Sequence, residues 1–236
     1  MTRTRAEQLA RRRSRRDRRP LPGELTDLNA FRHARNLHQA AWDGGYTMLG
    51  SRRGRTLYRL ARDAARRGVP GSLVDCGVWN GGSSILMSLG APDRTVWCFD
   101  SFQGLPAPGE QDDEESWRFV GDCVGSEAKL REGFSRLAPD AHVEVRPGWF
   151  ADTLEPAAES INSIAVLHCD GDWYESVRLT LDVFYGKVSP GGYVVIDDYG
   201  TWTGARRATD ELRRAVGDRG RLVRVDHTGR YWRKAD

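Results

Sequence analysis

Two adjacent carboxylates end a run that reads as a buried strand: Tyr193-Val194-Val195-Ile196 is followed at once by Asp197 and Asp198. Like charges about 4 Å apart at an effective dielectric near 20 repel by roughly 4 kcal/mol, so the pair calls for a cation or for water. A second strand-like run, "SIAVLHCD", also ends on a carboxylate, Asp170, with Asp172 two residues on. In the usual order of an open α/β sheet the fourth strand lies between the first and fifth, which brings Asp170, Asp197 and Asp198 together. Three oxygen donors at neighbouring strand tips suit a hard divalent ion, Mg2+ before others. Such an ion would hold a substrate hydroxyl and lower its pKa. Asp170 is the nearest base for the released proton, with His168 and His227 as alternatives. His168 shares a face of the strand with Asp170 and reads first as a buried structural histidine. The competing reading of these acids is a solvated rim that caps helices. Asp172 is assigned to that role, at the start of a helix from Trp173.

A second constellation suits a charged organic cofactor. In "VDCGVWNGGSS", Gly77 permits a tight turn, and Gly81 and Gly82 allow close approach to the backbone where a helix begins. The amides of that helix start, with the hydroxyls of Ser83 and Ser84, suit a carboxylate. Asp75, at the end of the preceding strand, could accept from an ammonium group. An amino-acid head carries both groups, so this tip fits the methionine part of S-adenosylmethionine. The next strand, in "TVWCFDSFQGLP", ends on Asp100, 23 residues after Gly77, with Ser101 following it. A carboxylate so placed can grip both hydroxyls of a ribose. Dinucleotide sites use the same device, but their G-x-G-x-x-G spacing is absent here, which disfavours a dinucleotide-dependent oxidoreductase. Trp149 and Phe150, in "RPGWFADTL", could cover an adenine ring or belong to ordinary core.

These residues need strands to carry them and helices to space the strands. The chain of 236 residues fits one α/β domain with appendages. From Leu57 the apolar residues Leu60, Ala61, Ala64 and Ala65 follow helical spacing, and strands then alternate with helices down to "ARRATDELRRAVG". Parallel strands need crossovers, so this alternation predicts a doubly wound, mostly parallel sheet. "RLVRVD" and "RYWRK" close the chain as an antiparallel hairpin. The expected fold is therefore a Rossmann-like sheet of the class I methyltransferase branch. Residues 1–25 read as a basic flexible arm, 26–70 as a helical cap or lid, and 71–236 as the methyltransferase domain.

The net charge of +3 conceals an asymmetry, because nine arginines crowd residues 1–20 against Glu7 and Asp17. The arm is read as a solubilising tail or a lid before it is read as a nucleic-acid tether. No apolar run is long enough for a membrane span or a secretory leader. Cys76, Cys98, Cys123 and Cys169 show neither C-x-x-C pairing nor zinc spacing, and read as reduced thiols of a cytoplasmic protein.

Together the ordered segments "GYTMLG", "RGVPGSLVDCGVWNGGSSILM", "DRTVWCFDSFQGLP", "RPGWFADTL", "LHCDGDWYES", "SPGGYVVIDDYG" and "TGRYWRK" resemble the macrocin O-methyltransferase (TylF-like) family across residues 40–234. The resemblance implies S-adenosylmethionine- and Mg2+-dependent methylation of a deoxysugar hydroxyl in a glycosylated antibiotic. It implies Asp170, Asp197 and Asp198 as metal ligands, with Asp170 the base. It places Tyr46, Thr47 and Met48 near the cofactor in a lid, and suggests a homo-oligomer. Asp75 stands where relatives often carry glutamate, His227 where an aromatic residue is usual, and the loop 108–119 is individual. Three other readings compete: an acceptor that is another small diol or phenol, a non-catalytic binding protein on the same fold, and a nucleic-acid methyltransferase. Asp170-Gly171-Asp172-Trp173 stands where amino-group methylation of bases uses N/D-P-P-Y/F, so nucleic acid is not the expected substrate.

Overall fold

A computed structural model describes residues 28–235, so the arginine-rich arm predicted over 1–25 lies outside the described residues. Two helices fill the segment expected to be a cap: α1 (Leu28–Asp43) and α2 (Ser51–Arg66). In α2 the buried Leu57, Leu60, Ala61 and Ala64 recur at i, i+3, i+4 and i+7, which makes one apolar stripe. Six further elements form the first half of the alternation: β1 (Ser72–Cys76), α3 (Gly82–Gly90), β2 (Val96–Asp100), α4 (Glu127–Leu137), β3 (Val143–Pro147) and α5 (Phe150–Ala158). The second half is β4 (Ile164–Cys169), α6 (Tyr174–Phe184), β5 (Val188–Ile196), α7 (Thr203–Ala215), β6 (Val223–Arg224) and β7 (Arg230–Arg233).

The seven strands lie in the order β3-β2-β1-β4-β5-β7-β6. The first five pair in parallel, and β7 runs antiparallel to both β5 and β6. The predicted sheet and closing hairpin are therefore present. Strand order reverses between β1 and β4, the place where such sheets open a crevice at their carboxyl ends. Every residue of β4 is buried, as expected of a central strand covered on both faces.

Period-two alternation sorts the strand residues onto two cores. Leu73, Val166 and Val195 meet α2, α3 and α4 through Leu57, Ile85, Leu130 and their neighbours. Val74, Leu167 and Val194 meet α5, α6 and α7 through Leu154, Leu181 and Leu212. One crossover helix, α5, is not foreseen in the sequence reading. It is only nine residues long and carries Pro156, whose ring removes a backbone donor in the last turns and masks the helical pattern. No helix among the described residues is long and apolar enough to cross a membrane.

Candidate active site

The strand tips surround a cavity of about 820 Å³ at the carboxyl edge of the sheet. On one side stand Gly77, Asp100 and Ser101; on the other stand Asp170, Asp172, Asp197 and Asp198. Trp149 and Phe150, at the start of α5, and Met48, from the α1–α2 connection, also line it.

Gly77 adopts φ 92°, and a Cβ there would collide with the backbone carbonyl of Asp170. The first turn therefore clasps the fourth strand tip and sets the height of Asp170. Gly81 and Gly82 turn out to admit protein rather than ligand. A side chain at Gly81 would strike Leu130, and one at Gly82 would strike the Tyr46–Thr47 backbone, whose carbonyl accepts the Gly82 amide at 2.8 Å. The α1–α2 connection is thus seated on the helix start.

Asp100 accepts the backbone N–H groups of Trp79 and Phe102, each at 2.7 Å. Burial pushes its carboxyl up, partly offset by those two donors. Asp100 also lines the cavity. Asp75 is placed differently from the expectation. It is fully buried, does not line the cavity, and has both oxygens engaged, by Ser84 Oγ at 2.5 Å and by His168 Nδ1 at 2.7 Å. Ser83 and Thr47 are also buried behind the cavity wall, and Thr47 Oγ1 accepts the Leu49 amide at 3.1 Å.

The acids divide into two groups rather than one trio. Asp170, Asp172 and Asp198 can bring one oxygen each within 4.8 Å of one another, and so can His168, Asp170 and Asp197. β5 ends at Ile196, and in the bend that follows Asp197 falls in the group with His168 while Asp198 falls in the group with Asp172. Asp170 belongs to both groups. Burial first, and then the charge of Asp198, hold the carboxyls of Asp170 and Asp172 well above the usual carboxylate range. Crowded, half-buried carboxylates of this kind fit a hard divalent cation, which would remove the mutual repulsion.

Asp172 is not the helix cap assigned to it. Its backbone turns through φ 57°, and its Oδ1 accepts from Trp202 Nε1 at 3.2 Å inside the cavity. The first amide of α6, that of Tyr174, instead donates to Asp112 Oδ1 at 2.8 Å. Asp113 does the same for α7, accepting from the Thr203 amide at 3.1 Å and its hydroxyl at 2.7 Å. The individual loop is thereby tied to the two helices that follow the acidic strand tips.

Sequence reasoning also misses Arg53, which pairs with Asp197 Oδ2 and approaches Asp226 Oδ2 at 3.4 Å. Nothing local to either residue signals a contact across 144 positions. His227, the other alternative base, is exposed and does not line the cavity. Cys76, Cys98 and Cys169 are buried free thiols within strands, and Cys123 is a free thiol at the cavity wall. His168 is wholly buried, and its Nε2 has no hydrogen-bond partner. An unpaired buried polar atom costs about 1–3 kcal/mol.

The sequence profile described as macrocin-O-methyltransferase (TylF) matches residues 13–234. The chain belongs to the macrocin O-methyltransferase (TylF) family. This O-methyltransferase is 38% identical, over 80% of its length and 76% of the relative's, to demethyldecarbamoylnovobiocin O-methyltransferase of Streptomyces niveus. It is 35% identical to mycinamicin III 3''-O-methyltransferase of Micromonospora griseorubida, over 90% of this chain and 88% of that one. The solved O-methyltransferase NovP superposes with a TM-score of 0.73 at 39% identity, covering 81% of this chain and 83% of its own. The class I sheet read from the sequence is thus also the fold of a relative close enough to share its family.

Proposed function

We propose that this O-methyltransferase moves the methyl group of S-adenosylmethionine to a deoxysugar hydroxyl on a glycosylated natural product, with a divalent cation at the acidic end of the cavity. The observation that carries the reading is one cavity lined by both Asp100 on its cofactor side and Asp170 on its acidic side. Two relatives named for methylation of novobiocin and mycinamicin compounds support the acceptor class.

On the cofactor side, Asp100 accepts from the ribose hydroxyls, beside Ser101 and Gly77. Trp149 and Phe150 cover the adenine. Met48 lines the cavity beside the sulfonium, while Ser83 and Thr47, buried behind the wall, brace the start of α3 rather than touch the cofactor. Asp75 acts through Ser84 and His168 rather than on the ligand.

On the acidic side, Asp170, Asp172, Asp197 and Asp198 line the cavity and would hold the cation. Mg2+ is the ion that oxygen donors favour. When bound, it supplies a Lewis acid that lowers the pKa of the acceptor hydroxyl. Asp170 is the base that takes the proton of the acceptor hydroxyl. The sulfonium is already activated, so the chain's main work is to align oxygen, methyl and sulfur and to exclude water. Alignment of this kind can be worth about 7–11 kcal/mol. The aromatic rings of Trp173, Trp202 and Phe119 pack edge to face at one wall and exclude water there.

Isothermal titration is expected to show saturable binding of S-adenosylmethionine, and EDTA to stop methyl transfer to glycoside acceptors. Full activity in the double variant Asp197→Ala, Asp198→Ala would remove those two residues from the cation site.

A further inference from the structure

We propose that the acceptor sugar stacks an apolar face on the indole of Trp202, and that this ring ties the sugar to the acidic end of the cavity. The proposal rests on the glycoside acceptor argued above and deepens it by naming the residue that selects the sugar.

Three observations converge on this ring. Trp202 is half-buried and lines the cavity, so part of the indole is open to a ligand. Its Nε1 donates to Asp172 Oδ1 at 3.2 Å, and its backbone amide donates to the Asp198 carbonyl at 3.0 Å. The residue is thereby fastened to the turns that follow both β4 and β5. Trp173 and Phe119 then pack edge to face against it, with ring centroids 5.1 and 5.3 Å away and interplanar angles of 69° and 70°. Both buttresses are themselves held. Trp173 is buried, and its Nε1 donates to the Pro106 carbonyl at 2.8 Å. Phe119 belongs to the loop that Asp112 and Asp113 tie to α6 and α7.

A sugar ring carries hydroxyls around its edge and C–H groups on its faces. It therefore fits a wall that is flat and apolar beside acceptors for its hydroxyls, and each deoxy position enlarges the C–H face. An indole whose N–H is already satisfied supplies the flat surface. Small-molecule sites fix orientation in this way, with a few polar groups set against an aromatic lining. Trp149 lines the same cavity but stands past the end of β3, where Pro147 pairs with Asp100, and so belongs to the cofactor side. Trp202 is the ring bonded to the acidic side.

The test is steady-state methyl transfer to nitrophenyl rhamnoside by the whole protein, with S-adenosylmethionine affinity read by calorimetry. Trp202→Leu is expected to raise KM for the rhamnoside by about tenfold or more and to leave cofactor affinity unchanged. Trp202→Phe keeps a ring but loses the bond to Asp172, so it is expected to restore most of KM while kcat stays low. A wild-type KM in Trp202→Leu would overturn the proposal, and so would an equal loss of cofactor affinity, which marks a merely structural role. A second measurement needs no variant. In wild-type protein protonated only at tryptophan and held with S-adenosylhomocysteine, saturating the indole protons is expected to transfer magnetisation to the C–H protons of the sugar. Absence of transfer to those protons would overturn the proposal even if Trp202→Leu failed to fold. Either result, with wild-type methyl transfer intact, would leave the proposed function standing. Failure of the wild type to methylate any deoxysugar glycoside would overturn both.

Discussion

Asp170 carries two opposed demands. The proposed function keeps its carboxyl beside Asp172 and Asp198, yet burial and those charges raise its free energy whenever it is ionised and no cation is present. Removing the charge should therefore stabilise the ion-free protein: Asp170→Asn is expected to melt higher than wild type in EDTA at neutral pH. Added divalent ion should reverse the ranking, and a thermal melt with and without ion reads both. Gly77 offers a second test at this scale. A Cβ there meets the Asp170 carbonyl, and the residue sits at φ 92°. Gly77→Ala is expected to cost about 1–3 kcal/mol in denaturant unfolding, and to lower activity further by displacing Asp170. At Asp100, exchange for Ala removes a charged acceptor worth about 1.5–3 kcal/mol, so calorimetry should show S-adenosylmethionine binding weakened by at least about tenfold.

At the scale of elements, the site depends on how helices and loops are pinned to strand tips. His38 in α1 donates from Nε2 to the Leu49 carbonyl at 2.9 Å and so fastens the α1–α2 connection. Burial first, and then Arg55, push its pKa below the ordinary 6.5, against the pull of that carbonyl. Above about 6.5 the ring is neutral in both folded and unfolded chains and stability is unaffected. As pH falls below that, the unfolded chain takes a proton the folded one refuses, and stability is lost. His38→Gln, which can still donate to Leu49, is expected to flatten the slope of unfolding free energy below that pH. The loop carrying Asp112 has a simpler role: Asp112→Ala removes the cap on α6 and is expected to cost about 1 kcal/mol.

For the molecule as a whole, the sheet was legible because glycines and acids punctuate each strand tip, and because alternation with helices admits few topologies. Helix α5 was hidden by its shortness and Pro156. Within the site, Asp100, Asp170 and the Asp197–Asp198 pair could be read from their places at strand ends. The division of the acids into two groups was not legible, because Asp197 and Asp198 lie in a bend beyond the end of β5. Asp172 was not legible, because a positive-φ turn carries it from the helix into the cavity. Arg53 and the Asp75–His168 contact arise from packing between distant segments, which no local pattern encodes. The most direct measurement is transfer of a labelled methyl group from S-adenosylmethionine to a deoxysugar glycoside by wild type and by Asp170→Asn. The geometry predicts a loss of at least about 100-fold in the variant, the scale of a lost general base. Wild-type turnover in Asp170→Asn would contradict it.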